Sequence, residues 1–172
     1  MTETVIRSES ARDTDDIRAI NVAAFQNLPY SRQTEHLIVD ALRADDALTV
    51  SLVAVRDDHP VGHIAFSVAR IGTTTKGWYL AGPVAVLPAF QHQGIGSALV
   101  EAGLAELRSR GAKGCVLVGD PRFYERFGFR THPGLVHKGV PDEFVLVLPF
   151  RETVPTGDIA AHEAFGVHPD SA

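Results

Sequence analysis

The sequence predicts a single domain of the α/β (α+β) class, with a mixed, mostly antiparallel central sheet, one splayed or bulged strand and flanking helices. Three observations support this fold. Segments with strand and helix periodicity follow each other in the order β-α-α-β-β-β-α-β-α-β-β. Turn signals join the early strands as hairpins, which makes them antiparallel. One β-α-β unit in the middle of the chain adds a parallel pair.

The first half contains a strand, two helices and a hairpin of strands. Residues 4–9 alternate in polarity as a strand does, and either Asp13 or Thr14 can cap the helix that follows. A second helix, over residues 31–43, carries an apolar stripe on one face. The hairpin strands are expected at 48–58 and 61–71, with the turn "DDHPVG" between them.

The second half contains the β-α-β unit and the last strands. In the strand at 78–88, the pair Gly82–Pro83 interrupts an apolar run, so we expect a bulge or splay there. The helix opened by "QHQGIGSALV" ends near Arg110, with Gly111 as its stop. The remaining elements are a strand at 114–120, a short helix over "PRFYERFG", and strands at 129–136 and 142–150.

The composition of the chain excludes some classes of function. The 172 residues carry a formal net charge of −5, so no basic footprint for nucleic acid is visible. Because Cys115 is the single cysteine, the chain cannot form an intrachain disulfide. No potential metal ligands cluster with Cys115 in the sequence, and we predict that it is buried in a strand. We expect a cytoplasmic protein with no membrane segment, in which residues 1–150 form the domain and 151–172 a C-terminal extension packed on it or trailing from it.

The glycine turn Gly94–Gly96, at the start of a helix, indicates backbone amides presented to an anion. A nucleotide-triphosphate loop would need a lysine after Gly96, where Ser97 stands. A dinucleotide fingerprint would need a third glycine, and Leu99 occupies that position. A tight turn with no ligand is the structural alternative.

The whole segment "VAVLPAFQHQGIGSALV" resembles motif A of the GCN5-related N-acetyltransferases (GNAT), and "DPRFYERFGF" resembles the aromatic motif of that family. The resemblance covers roughly residues 4–150. The stretches "HPVGHIAFS" and "GVPDEFVLV" are similar to the YhbS-like predicted acetyltransferases. The family's arginine at the start of motif A is replaced here by Gln91, and its polar residue after the fifth strand by Gly119 and Asp120.

The resemblance implies acetyl-CoA as the cosubstrate and no metal. Backbone groups of the splayed strand would pair with the pantetheine amides, and the turn's amides would meet the pyrophosphate. The residues expected to bind acetyl-CoA are Val84, Ala85, Val86, Gln91, His92, Gln93, Gly94, Ile95, Gly96 and Ser97.

Two residues are predicted to be catalytic. The resemblance implies that Tyr124 is the general acid that protonates the leaving thiolate; packing in the core is the alternative. Glu35 shares the apolar face of its helix and could accept the amine's proton through water, unless it only complements the helix dipole. His36, His63 and His92 are further candidate bases. Asp120 is expected to cap the helix after it.

The predicted function is direct transfer of an acetyl group from acetyl-CoA to a primary amine. The acceptor would be a small molecule or a protein amine, with no nucleic acid or membrane partner. A non-catalytic acyl-CoA-binding sensor or regulatory module is the alternative, and transfer to oxygen is a further one. The apolar "FVLVLPF" could serve a homodimer interface, by analogy with related folds.

Overall fold

The computed structural model describes residues 3–74 and 76–166. Its strands are β1 (Val5–Ser8), β2 (Val50–Arg56), β3 (His59–Val68), β4 (Arg70–Ile71), β5 (Trp78–Val86), β6 (Gly114–Val118), β7 (Leu135–Val136), β8 (Val145–Pro149) and β9 (Gly157–Ala160). Its α-helices are α1 (Thr14–Phe25), α2 (Glu35–Ala44), α3 (Ile95–Ser109) and α4 (Pro121–Tyr124). Single 3₁₀ turns lie at 11–13, 88–90, 125–127, 142–144 and 163–166.

The main sheet has six strands in the order β1-β2-β3-β5-β6-β8. Its neighbouring strands are antiparallel except β5 and β6, which are parallel and joined through α3. This confirms the predicted fold class and the single β-α-β unit. On one face, α3 packs against Phe66, whose ring leaves no room for a side chain at Gly103. Helices α1 and α2 cover the other face, where Ile17 and Val39 meet Val53 of β2.

The bulge predicted in β5 is present. Ile64 of β3 pairs with Val84, whereas Phe66 pairs with Ala81, so two residues of β5, Gly82 and Pro83, stand opposite one residue of β3. The parallel pairing with β6 covers only Trp78 to Leu80. The two strands therefore splay beyond that point, and a gap opens between residues 84–86 and the end of β6.

Several predicted boundaries are wrong. The hairpin turn before β3 contains only Asp57 and Asp58, both with positive φ (51° and 63°), because a two-residue turn of this kind matches the twist of its strands. The strand predicted at 129–136 is reduced to β7, and Arg130 makes a single bridge to Val147. The strand predicted at 61–71 is broken at Ala69, where the chain leaves the main sheet for a second one.

The second sheet has three strands in the order β4-β9-β7. Its central strand, β9, comes from the predicted C-terminal extension, whose residues 167–172 lie outside the described part of the chain. Ile159 of β9 is buried in a cluster with Trp78 and Val116 of the main sheet. Beyond β9, Ala164 packs on Ile38 and Leu42 of α2. This segment thus shares its cores with the main domain.

The start of α1 differs from the prediction of a side-chain cap by Asp13 or Thr14: Thr14 is already the first residue of α1, and the side chain of Asp13 makes no cap hydrogen bond to the helix. The carboxylate of Asp13 accepts hydrogen bonds from the Ser10 amide (2.7 Å) and from Arg7 (2.7 and 3.0 Å), and it is 2% exposed. The Arg7 guanidinium holds the pKa of Asp13 well below its ordinary value. Asp13 therefore closes the preceding 3₁₀ turn and ties it to β1, because that pairing satisfies a carboxylate that would otherwise be buried alone.

Candidate active site

A pocket of about 620 Å³ opens where β5 and β6 splay. Its walls are the end of β5, the turn before α3, the connection between α1 and α2, and one side of α4. Pockets at the carboxyl ends of parallel strands are common ligand sites in α/β sheets. The fold therefore places the glycine turn and the splayed strand, which the sequence singled out separately, in one cavity.

The turn before α3 presents a row of unpaired amides to this pocket. His92 and Gly94 have φ of 64° and 85°, and glycine adopts the second value at little cost. The first bond of α3 runs from the Ala98 amide to the Gly94 carbonyl, at 3.0 Å. Within the described part of the chain, none of the amides from 92 to 97 has an acceptor. These donors, together with the helix dipole, form a site for an anion.

The backbone of β5 offers a second set of groups. The Leu87 amide donates to the Val61 carbonyl of β3, at 2.9 Å. Peptide groups alternate in direction along a strand, so those of Val84 and Val86 point away from β3, into the gap. The side-chain amide of Gln91 donates to the Val86 carbonyl at 2.9 Å, which agrees with this direction. The Val84 groups and the Val86 N–H face the gap, where β6 no longer pairs.

The pocket gathers nine of the ten residues predicted to bind acetyl-CoA: Val84, Ala85, Val86, Gln91, His92, Gly94, Ile95, Gly96 and Ser97. Gln93 does not line it. Its side-chain oxygen accepts a hydrogen bond from Arg56 at 2.7 Å, and Arg56 also lies over the Phe90 ring. The side chain of Gln93 therefore braces the outside of the turn.

Tyr124 lies next to the pocket and packs against Phe123, one of the residues that line it. The two rings meet edge to face with centroids 4.8 Å apart, and a side chain at Gly119 would strike the Tyr124 ring. Burial, with a smaller contribution from the neighbouring phenol of Tyr30, raises the pKa of Tyr124 to about 12. The Tyr124 hydroxyl has no hydrogen-bond partner among the described residues, so a protonated donor remains available. Its predicted catalytic role stays a prediction.

Glu35 begins α2 and is held locally. Ser31 Oγ lies 2.7 and 2.9 Å from its two carboxylate oxygens, and Glu35 is not among the residues that line the pocket. This geometry favours the alternative in which Glu35 complements the start of α2. The predicted role of Glu35 as a base stays a prediction.

Replacement of Glu35 by glutamine tests that role. We expect kcat/KM to change by less than about twofold and its pH dependence to keep its shape, because water would deprotonate the amine in both proteins. The measurement is a pH series of CoA release for both proteins. Loss of the acidic limb in the variant would restore Glu35 as the base.

The three histidines lie in different surroundings. His63 is fully buried between Ser51 (Nε2 to Oγ, 2.8 Å) and Asn21 (Nδ1 to Nδ2, 3.4 Å). Burial lowers its pKa to about 3, so it stays neutral inside the sheet. Burial also lowers the pKa of His36. Only His92 of the three lines the pocket.

Two other expectations are confirmed. Asp120 Oδ1 accepts the Arg122 amide at 2.9 Å, so Asp120 caps α4. Cys115 is fully buried in β6, and burial raises the pKa of its thiol.

Sequence reasoning missed part of the pocket. Phe25, Leu28 and Tyr30, from the connection between α1 and α2, form an apolar wall, and Phe123 and Arg126 line the α4 side. Arg126 lies over the Phe123 ring at 4.7 Å. The three-residue spacing of Phe123 and Arg126 could have indicated a shared face. No local signal marks the first three residues, because only the crossing of α1 over β5 brings them to the pocket.

Comparison with known proteins agrees with this geometry. The family model for the acetyltransferase (GNAT) domain matches residues 48–131. The uncharacterized N-acetyltransferase YhbS of Escherichia coli (strain K12) is 35% identical over 126 residues, which are 73% of this chain and 72% of YhbS. The chain belongs to the GNAT N-acetyltransferase family. The resemblance predicted from motif A and the aromatic motif is confirmed.

Two solved GNAT structures have the same fold. A GNAT family acetyltransferase from Brucella melitensis in complex with acetyl-CoA has a TM-score of 0.86 and 48% identity, over 95% of this chain and 98% of its own. YhbS from Escherichia coli in complex with CoA has a TM-score of 0.88 and 30% identity, over 97% and 94%. Across the described residues of this GNAT chain, no helix is long and apolar enough to cross a membrane, and no group of acidic, histidine or cysteine side chains could hold a metal.

Proposed function

We propose that this protein is an N-acetyltransferase that transfers the acetyl group of acetyl-CoA directly to a primary amine. The observation that carries the proposal is the cavity that joins the unpaired amides of five lining residues to the gap beside β5; these residues are His92, Gly94, Ile95, Gly96 and Ser97. Family membership and the acetyl-CoA and CoA complexes of the two relatives support it.

The residues present fit acetyl-CoA on independent grounds. A pyrophosphate needs donors, and the turn supplies them from the backbone, although the protein has a net charge of −5. Gly96 lets an anion approach closely, because a β-carbon there would point into open pocket space, 3.9 Å from Phe123 and 4.0 Å from Val86. The amide-bearing pantetheine arm would pair with the Val84 peptide groups as an added strand does, which leaves the Val86 N–H for the thioester.

The residues of the site divide the chemistry among them. The Val86 N–H faces the gap and would donate to the thioester oxygen as negative charge develops on it. The pKa of Tyr124 lies far above neutral pH, so its hydroxyl stays protonated and would donate a hydrogen bond to the departing sulfur. Cys115 is the one cysteine of the sequence and is fully buried, which favours direct transfer over an acyl-cysteine.

Thermal unfolding with acetyl-CoA tests the proposed donor. At about one hundred times its Kd, a ligand adds about 2.7 kcal/mol to the free energy of unfolding, which for a chain of this size raises Tm by roughly 5–10 °C. ATP and NAD serve as polyanion controls, and we expect neither to raise Tm by a comparable amount. An equal shift with ATP, or no shift with acetyl-CoA, would contradict the proposed donor.

A further inference from the structure

The apolar wall of the pocket carries information about the acceptor. Phe25 ends α1, and Leu28 and Tyr30 follow it in the connection to α2. Tyr30 is 80% exposed while it still lines the pocket, so its ring stands at the mouth. An exposed aromatic ring at the mouth of a pocket is more useful for contact with a ligand than for the stability of the fold.

The carboxylates near this region are already engaged. Ser31 donates to Glu35, and Asp120 is bound by both the amide and the guanidinium of Arg122 at 2.8 to 3.2 Å. The exposed acids at 142–143 do not line the pocket. Among the residues that line it, no acid is present, and Arg126 contributes a positive charge. A second ammonium group on an acceptor would therefore find a cation and no free anion.

An apolar wall also affects the attacking amine. Transfer requires the neutral amine, and removal of an amine from water favours its neutral form. A ring or alkyl body packed on Phe25, Leu28 and Tyr30 would bring the nitrogen into this environment. The wall would thus favour the neutral amine in a pocket where His92 is the one predicted base among the lining residues.

From these observations, and resting on the proposed function, we propose that the acceptor is a primary monoamine on an apolar, preferably aromatic, body, and that Tyr30 determines this preference. Polyamines and basic peptides are excluded, because their additional positive charges would meet Arg126 and no carboxylate among the residues that line the pocket. The exposed ring of Tyr30 stands at the mouth of the pocket and would contact the apolar body of the acceptor there.

The experiment compares three acceptors at saturating acetyl-CoA: phenethylamine, spermidine and a lysine-containing peptide. Release of CoA thiol gives kcat/KM for each. We expect phenethylamine to exceed the other two by at least about tenfold. Tyr30→Ala should lower kcat/KM for phenethylamine by about tenfold, mainly through KM, whereas Tyr30→Phe retains it.

The controls separate this inference from the proposed function. Val22→Ala changes an exposed side chain on the helix that carries Phe25 and should leave all rates unchanged. The acetyl-CoA-induced rise in Tm should be the same in every variant. Absence of that rise in the unmodified protein overturns the proposed function and this inference together. A normal rise combined with preference for spermidine or the peptide, no turnover of phenethylamine, or an inert Tyr30→Ala overturns this inference alone.

Discussion

Tyr124→Phe is expected to lower kcat by about tenfold or more and to leave the affinity for acetyl-CoA unchanged. The ring keeps its contacts with Phe123 and Phe129, so the variant loses one hydroxyl and little packing. A loss confined to kcat would mean that the hydroxyl acts only as the carbon–sulfur bond breaks.

The raised pKa of Tyr124 determines how this donor works. Its pKa of about 12 exceeds that of an ordinary thiol, near 8.5, by more than three pH units, so complete proton transfer is uphill by roughly 5 kcal/mol. The hydroxyl must therefore act mainly as a hydrogen-bond donor to the developing thiolate. It also stays protonated from neutral pH to about pH 10, so kcat should show no descending limb from Tyr124 in that range.

The measurement is the steady-state rate of CoA release for the unmodified protein, Tyr124→Phe and Tyr79→Phe. Tyr79 lies on β5 at the end paired with Cys115, away from the pocket residues, so its variant controls for loss of a phenol. Equal turnover by Tyr124→Phe would remove Tyr124 from the mechanism. Binding of acetyl-CoA by all three proteins, with no transfer to any amine by the unmodified one, would favour the non-catalytic acyl-CoA-binding module.

Gly96→Ala is expected to change stability and ligand affinity in opposite directions. Gly96 lies in the first turn of α3, and its added methyl group would meet only Phe123 and Val86 at ordinary contact distances. Alanine in place of glycine in a helix stabilises the unliganded protein by about 0.5–1 kcal/mol, or roughly 1–4 °C in Tm. The same methyl occupies the space in which a phosphate would approach the amides, so Kd for acetyl-CoA should rise by at least about tenfold.

Gly94→Ala is the matched control for that variant. A β-carbon at Gly94 would also meet open space, but its φ of 85° is strained for alanine and costs about 1–2 kcal/mol. Calorimetric titration gives Kd for acetyl-CoA, and thermal unfolding without acetyl-CoA gives the stability of each unliganded variant. If Gly96→Ala bound acetyl-CoA as tightly as the unmodified protein, the close approach of the pyrophosphate at that turn would be wrong.

The fold was predictable because its signals are local. Hairpin turns, helix periodicity and the Gly82–Pro83 interruption each lie within a few residues of sequence, and each appears in the structure. The second sheet was not predictable in this way. Among the described strands, β4 and β7 have two residues each and pair with no strand other than β9, which lies further along the chain, so no periodicity marks them.

The residues of the site fall into the same two groups, those marked by a local signal in the sequence and those placed by tertiary contacts. The amides of the turn and the peptide groups of β5 belong to a continuous motif, and their gathering in one pocket follows from it. The apolar wall contributed by Phe25 and Tyr30 depends on how α1 crosses the sheet, which is a tertiary property. At Asp13 a local signal was misleading. Its position at the start of a helix predicted a cap, whereas its carboxylate binds Arg7 of β1 instead.

The central place of β9 in the small sheet has a consequence for biosynthesis. β4 and β7 flank β9 and have no pairing with each other, so neither can form its ladder until residues 157–160 have left the ribosome. Until then Trp78, Val116 and Leu135 lack the cover that Ile159 provides and present apolar surface to chaperones and to neighbouring nascent chains. The yield of soluble protein should therefore be more sensitive to substitutions in this late strand than its distance from the glycine turn would indicate.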